Sequence, residues 1–180
     1  MAEFYNELNE DLSLFIEKQK IFFVSTVPNE GRINLSPKGH ESFYILNDNE
    51  VCFLNLVGSG NETEGHLKED PRITIMFCSF EKSPNILKIY GQGRSITPRS
   101  PEWETLYSKM KTEQGARQII AIKIDSVQTS CGYSVPFFEY QGERETLRKW
   151  AEKKGDIGVA EYMREKNVTT IDGKPTGLFD

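Results

Sequence analysis

Apolar residues come in short bursts separated by turn formers along most of the chain. Ile21–Val27 (IFFVSTV), Phe43–Leu46, Val51–Val57, Arg72–Phe80, Ile86–Thr97 and Gln118–Val127 have strand length and are rich in β-branched and aromatic residues. Pro28-Asn29-Glu30-Gly31 predicts a turn that returns the first of these as a second strand, Arg32–Ser36, with Pro37-Lys38-Gly39-His40 interrupting the pairing. Gly91 and Gly93 mark a bend or bulge in the long strand from Ile86. Helical periodicity appears elsewhere. Leu8, Leu12, Phe15 and Ile16 share one face of a helix over about residues 6–19, expected to lie across the sheet. Ser100 and Pro101 open a second helix over 98–111, striped by Trp103, Leu106, Tyr107 and Met110. Helical patterns over 143–154 and 157–166 close the chain. Many short antiparallel strands with helices at their ends predict a mainly β fold, a small closed barrel with peripheral helices, rather than a doubly wound sheet.

The stretch from Val51 to Pro71 is the one around which this pattern turns. A buried strand runs into Gly58-Ser59-Gly60, and Asn61 with Glu64 reads as an N-cap and capping-box pair for a helix that Asp70-Pro71 ends. A helix start beside a flexible turn offers unpaired N–H groups to a phosphate. The same residues also fit an ordinary capped turn. Neither the dinucleotide fingerprint nor a Walker loop is present, and Glu62 and Glu64 would repel an anion unless they point away.

A chain of 180 residues, 37% hydrophobic and 27% charged, suits one globular domain. Its net charge of −5 argues against a nucleic-acid surface, and no apolar run has the length of a membrane span. The acidic start MAEFYNELNEDLSLF lacks the basic opening of a secretory leader, so a cytoplasmic protein is expected. Three cysteines without a C-x-x-C pair argue against a disulfide framework or zinc site, and two distant histidines give no metal set. Cys52 and Cys78 read as small core residues.

VSTVPNEGRINLSPKG, GSGNETEGHLKEDPRITIMF and ILKIYGQGR together resemble the flavin-binding proteins related to pyridoxamine 5′-phosphate oxidase. Ser130–Pro136 (SCGYSVP), Trp150–Gly155 (WAEKKG) and Ile171–Pro175 (IDGKP) are similar to segments of one subgroup of uncharacterised members. The resemblance implies an FMN-binding split β-barrel over residues 1–140, a C-terminal helical extension over 141–180 packed on the same domain, and a homodimer with FMN between subunits. It implies cofactor contacts from Asn34, Ser36 and Lys38 on the second strand and from Ser59, Gly60, Asn61 and Thr63 in the phosphate turn. The better-known oxidases carry a Ser-Arg-Lys set in that turn, whereas Asn61-Glu62-Thr63 removes two cations. Lys38 and Arg94 are the cations expected to replace them, though each also reads as a solvated surface residue. His40, Cys131 and Tyr133 are candidates for a substrate pocket, with packing the favoured reading for Cys131 and Tyr133.

The implied activity is FMN-dependent oxidoreduction of a small molecule, with the flavin supplying the redox chemistry and no side chain assigned as catalyst. The phosphate-gripping aromatic and arginine set of true pyridoxine or pyridoxamine phosphate oxidases has no counterpart in the C-terminal third. The alternative is a non-catalytic carrier or sensor of flavin or haem.

Overall fold

The computed structural model describes residues 2–39 and 41–179. Among the described residues eight strands form one antiparallel sheet: β1 (Glu3–Tyr5), β2 (Phe22–Thr26), β3 (Asn34–Lys38), β4 (Phe43–Asn47), β5 (Glu50–Leu56), β6 (Arg72–Cys78), β7 (Asn85–Ile96) and β8 (Ala116–Cys131). Four helices accompany them: α1 (Glu10–Lys18), α2 (Glu62–Glu69), α3 (Trp103–Tyr107) and α4 (Thr146–Lys166). The strand order is β3-β2-β6-β7-β8-β5-β4, with β1 added along β8. This is the split β-barrel expected from the sequence.

Strand β8 organises the barrel because it is long enough to serve several neighbours. Residues 116–123 pair with β5, 119–131 with β7 and 127–129 with β1. The β7–β8 ladder shifts register between Tyr90 and Gly91, where the backbone of Lys123 lies so close that only a glycine fits. The apolar run of β5 from Val51 to Leu54 has a cause: Val51 and Phe53 enter the main core with Phe22, Val24, Ile75 and Ile120, whereas Cys52 and Leu54 enter a second cluster with Ile96, Trp103 and Ile119. Both faces are buried, so alternation disappears. Helix α1 plugs the main core with Leu12 and Ile16, joined by Leu8. Burying one such side chain stabilises the fold by about 1.5–3 kcal/mol. A third cluster packs Ala151 and Val159 of α4 on Val57.

Several expected boundaries move. The first helix begins at Glu10 because Asn9 Oδ1 accepts from Leu12 N at 2.9 Å, and Glu3–Tyr5 is a strand instead. The strand after the first turn runs from Asn34 to Lys38, with Pro37 and Lys38 opposite Phe23 and Phe22. As an edge strand, β3 tolerates a residue without an N–H. The helix expected over 98–111 shrinks to five residues, since Ser100 Oγ accepts from Thr97 N within a turn rather than capping a helix. The two tail patterns are consecutive parts of α4, broken at Gly155 (φ 66°). Residues 132–145 lie outside regular structure, with Tyr133 and Phe137 exposed and Phe138 edge-on to Phe80. Among the described residues no helix is long and apolar enough to cross a membrane.

Candidate functional site

A cavity of about 780 Å³ opens between β3, the turn after β5, the start of α2, the first residues of β8 and the segment around the end of α4. Alternation along β3 sets one wall: Asn34, Ser36 and Lys38 face the interior, while Ile33, Leu35 and Pro37 are exposed. The turn residues Ser59, Gly60, Asn61 and Thr63 form a second wall.

The chemistry of this cavity is dominated by donors. Lys38 is largely buried, and its Nζ donates to Asn55 Oδ1 at 3.0 Å. Burial, reinforced by the neighbouring charge of Arg117, pulls the lysine pKa down to about 8. Arg117 is 4% exposed, and its Nη1 donates to Gly60 O at 2.8 Å and to Asn167 Oδ1 at 2.7 Å. Burial lowers its pKa to about 10, against the opposing pull of Glu64 and Tyr162. Among the described residues no carboxylate lies within ion-pair distance of either cation. Ser36 Oγ, Asn61 Nδ2 and Arg117 Nε are buried without a hydrogen-bond partner among the described residues. A buried unmatched polar atom costs about 1–3 kcal/mol, so several of them in one cavity point to a ligand rich in acceptors.

The helix start differs from the expected capping box. Asn61 stands at the N-cap position but makes no side-chain cap bond; its Oδ1 instead accepts from Asn55 Nδ2 at 3.4 Å. Glu64 turns beneath the helix, 3% exposed, where burial raises its pKa despite Ser95, Lys68, Arg117 and Gln118 around it. Glu62 lines the cavity beside Gly60, and its carboxylate accepts from the backbone N–H of Ile171. Of the two acidic residues that threatened an anion, Glu64 is thus buried with a raised pKa, whereas Glu62 stays at the cavity wall with its carboxylate tied to the tail backbone. Below them, Asn34 Nδ2 donates to Thr26 Oγ1 and Thr63 Oγ1, and Thr26 Oγ1 shares a hydrogen bond with His66 Nδ1 at 3.1 Å.

Seven of the residues singled out from sequence, Asn34, Ser36, Lys38, Ser59, Gly60, Asn61 and Thr63, therefore line one cavity. Arg94 does not join them: it lies on the outer face of β7, about half exposed, paired with Glu102 at 3.1 Å. Cys131 and Tyr133 border a different cavity of about 470 Å³, beside Tyr5 and Leu12. His40 lies outside the described residues. Arg117, Asn55 and Asn167 were missed. A lone Asn inside the apolar run of β5 was a legible signal for Asn55; nothing local distinguishes Arg117 or Asn167.

The family model for pyridoxamine 5′-phosphate oxidase matches residues 8–131. The chain belongs to the pyridoxamine 5′-phosphate oxidase family. A relative described as pyridoxamine 5′-phosphate oxidase family protein ustO, from Aspergillus flavus, is 36% identical over 193 aligned positions, covering 97% of this chain and 78% of that one. Among solved structures, HupZ of Group A Streptococcus has a TM-score of 0.55 at 16% identity, over 67% of this chain and 91% of that chain. A pyridoxamine 5′-phosphate oxidase candidate from Lactobacillus delbrueckii has a TM-score of 0.56 at 17% identity, over 68% and 94%. At such identities these structures share the fold alone. The pyridoxamine 5′-phosphate oxidase family match stops at residue 131, before α4 and the segment that closes the cavity, whereas the ustO alignment takes in most of that tail.

Proposed function

We propose that the cavity binds FMN, with the phosphate held by Lys38, Arg117, Ser36 and the turn Gly58–Asn61, and that the protein is a homodimeric FMN-dependent oxidoreductase acting on a small molecule. The observation that carries this reading is the pair of cations in the cavity wall without carboxylate partners among the described residues, beside three unmatched polar groups. A dianionic monophosphate suits such a set, because charge-assisted hydrogen bonds to phosphate are the strong ones. When bound, the flavin supplies the electron-transfer chemistry. The chain's own residues do the rest. Asn55 holds Lys38 in place, and Asn34 and Thr63 brace β3 against α2. The α2 N-terminus, left uncapped by Asn61, favours negative charge nearby.

In this reading residues 1–140 form the FMN-binding unit and 141–180 an extension packed on it. Leu35 on the edge strand and Ile33 just before it, 68% and 72% exposed beside the cavity, are the natural cover for a second copy of the chain. Substrates other than pyridoxine or pyridoxamine phosphate are favoured by the absence of an oxidase-like arginine set in the C-terminal third: Arg148 is bonded to Glu113 and Glu145, and Arg164 lies over Phe179.

Titration of apo-protein with FMN and FAD, followed by flavin fluorescence, tests the reading. Saturable quenching with FMN preferred is expected; no quenching at high protein concentration refutes it. Reduction by NADPH and reoxidation with candidate acceptors then separates turnover from a carrier or sensor role.

A further inference from the structure

We propose that Asn167 is a positioning residue for the phosphate seat, acting through Arg117 and the Gly58–Gly60 turn; this rests on the reading of the cavity as an FMN site. Asn167 is fully buried at the C-terminus of α4 and uses both ends of its amide. Its Nδ2 donates to Gly58 O at 2.9 Å, and its Oδ1 accepts from Arg117 Nη1 at 2.7 Å. The same Nη1 donates to Gly60 O at 2.8 Å. One side chain therefore ties both arms of the turn to the guanidinium. Its own backbone is fixed in turn, since its N–H donates to Met163 O at 2.9 Å and its carbonyl accepts from Thr176 Oγ1 at 2.6 Å.

The choice of an amide has a reason. Among the described residues Arg117 Nε has no partner and the guanidinium is held through a single nitrogen, and without Asn167 Gly60 O alone of them would hold it. A carboxylate at 167 would hold it equally well but would neutralise the charge that the phosphate needs, and it has no proton to give Gly58 O. An apolar side chain would leave both Gly58 O and Nη1 short of a partner. Asparagine aims the cation without quenching it. This is a role for the tail beyond the matched family region, which otherwise reads as a covering.

The test compares FMN with riboflavin, which lacks the phosphate, on folded apo-protein of wild type, Asn167→Ala and Asn167→Asp, with melting curves to verify folding. The ratio of riboflavin Kd to FMN Kd measures the seat alone. In both variants this ratio is expected to fall by roughly tenfold, with riboflavin affinity unchanged. In an Arg117→Met background Asn167→Ala is expected to leave the ratio unaltered, as coupling through Arg117 requires. The near-isosteric Asp variant keeps the test available if the Ala variant does not fold. An unchanged ratio, or equal weakening of both ligands, overturns the positioning role and makes Asn167 merely structural. A wild type that does not distinguish FMN from riboflavin refutes the phosphate-seat reading itself.

Discussion

Replacing Lys38 with Met should strengthen the apo-protein and weaken its grip on FMN. An ordinary lysine titrates near 10.4; burial in the cavity wall brings Lys38 to about 8. The difference corresponds to roughly 3 kcal/mol by which the folded state disfavours the charged amine below pH 8. Methionine removes that cost but forfeits the bond to Asn55 Oδ1 and leaves this acceptor unmatched, offsetting roughly 2 kcal/mol. A net gain of about 1 kcal/mol, or roughly 2–4 °C in Tm, is expected for the variant at pH 7. Because the folded-state pKa lies below the unfolded one, the folded protein releases its proton first. The cost is therefore complete below about pH 8 and disappears as pH rises toward the ordinary lysine value, so the variant's advantage should vanish near roughly pH 9 and turn into a deficit of about 2 kcal/mol at the top of that window. FMN affinity should move oppositely: loss of a charge-assisted bond to phosphate, roughly 1.5–3 kcal/mol, raises Kd about ten- to hundredfold. Wild-type affinity should also decline above about pH 8, as the amine deprotonates, while the variant stays flat through that range. Urea or thermal unfolding of apo-protein and fluorescence titration at several pH values supply both numbers. A destabilised variant with wild-type FMN affinity would refute the assignment of Lys38 to the seat.

Other perturbations probe the surroundings. A Cβ at Gly65 would collide with Thr170 Cγ2, so Gly65→Ala should cost about 1–3 kcal/mol in unfolding experiments, and Thr170→Ser in the same chain should restore most of it. Leu35→Asp, on the exposed edge of β3, should convert a dimer into a species of 20.6 kDa by light scattering and lower FMN affinity at the same time; a persistent dimer would place the contact elsewhere. FMN-saturated protein given pyridoxine phosphate or pyridoxamine phosphate should form no pyridoxal phosphate above background, and turnover on the order of one per second or faster would contradict this.

Much of the fold was legible because local signals and burial agree. The apolar run Val51–Val57, broken only by Asn55, announced a buried strand, and the family resemblance named Asn34, Ser36 and Lys38, which alternation along β3 brings to one wall of the cavity. The misjudged boundaries share a cause: a local stop or start signal was overruled by tertiary context. Pro37 does not end β3, because nothing pairs beyond that edge, and Ser100-Pro101 does not start a long helix, because Trp103 reaches the second core from the short α3 and Met110 from the turn after it. Arg94 was drawn in by its charge, yet alternation along β7, with Gly91 and Gly93 inside and Gln92 outside, sends it outward. Arg117 and Asn167 stand 50 residues apart and meet only in the finished fold, so no window of sequence could pair them.

The brace across the turn also sets an order of events during synthesis. Gly58 leaves the ribosome 109 residues before Asn167, after which Ala116–Cys131 must still emerge to close the sheet. Chains fold from the N-terminal side as they are made, so if the cavity is the flavin site proposed above, the barrel can assemble around an unfinished seat. A nascent chain lacking the tail would hold flavin loosely or not at all, and tight loading would become a property that only the late-arriving segment confers.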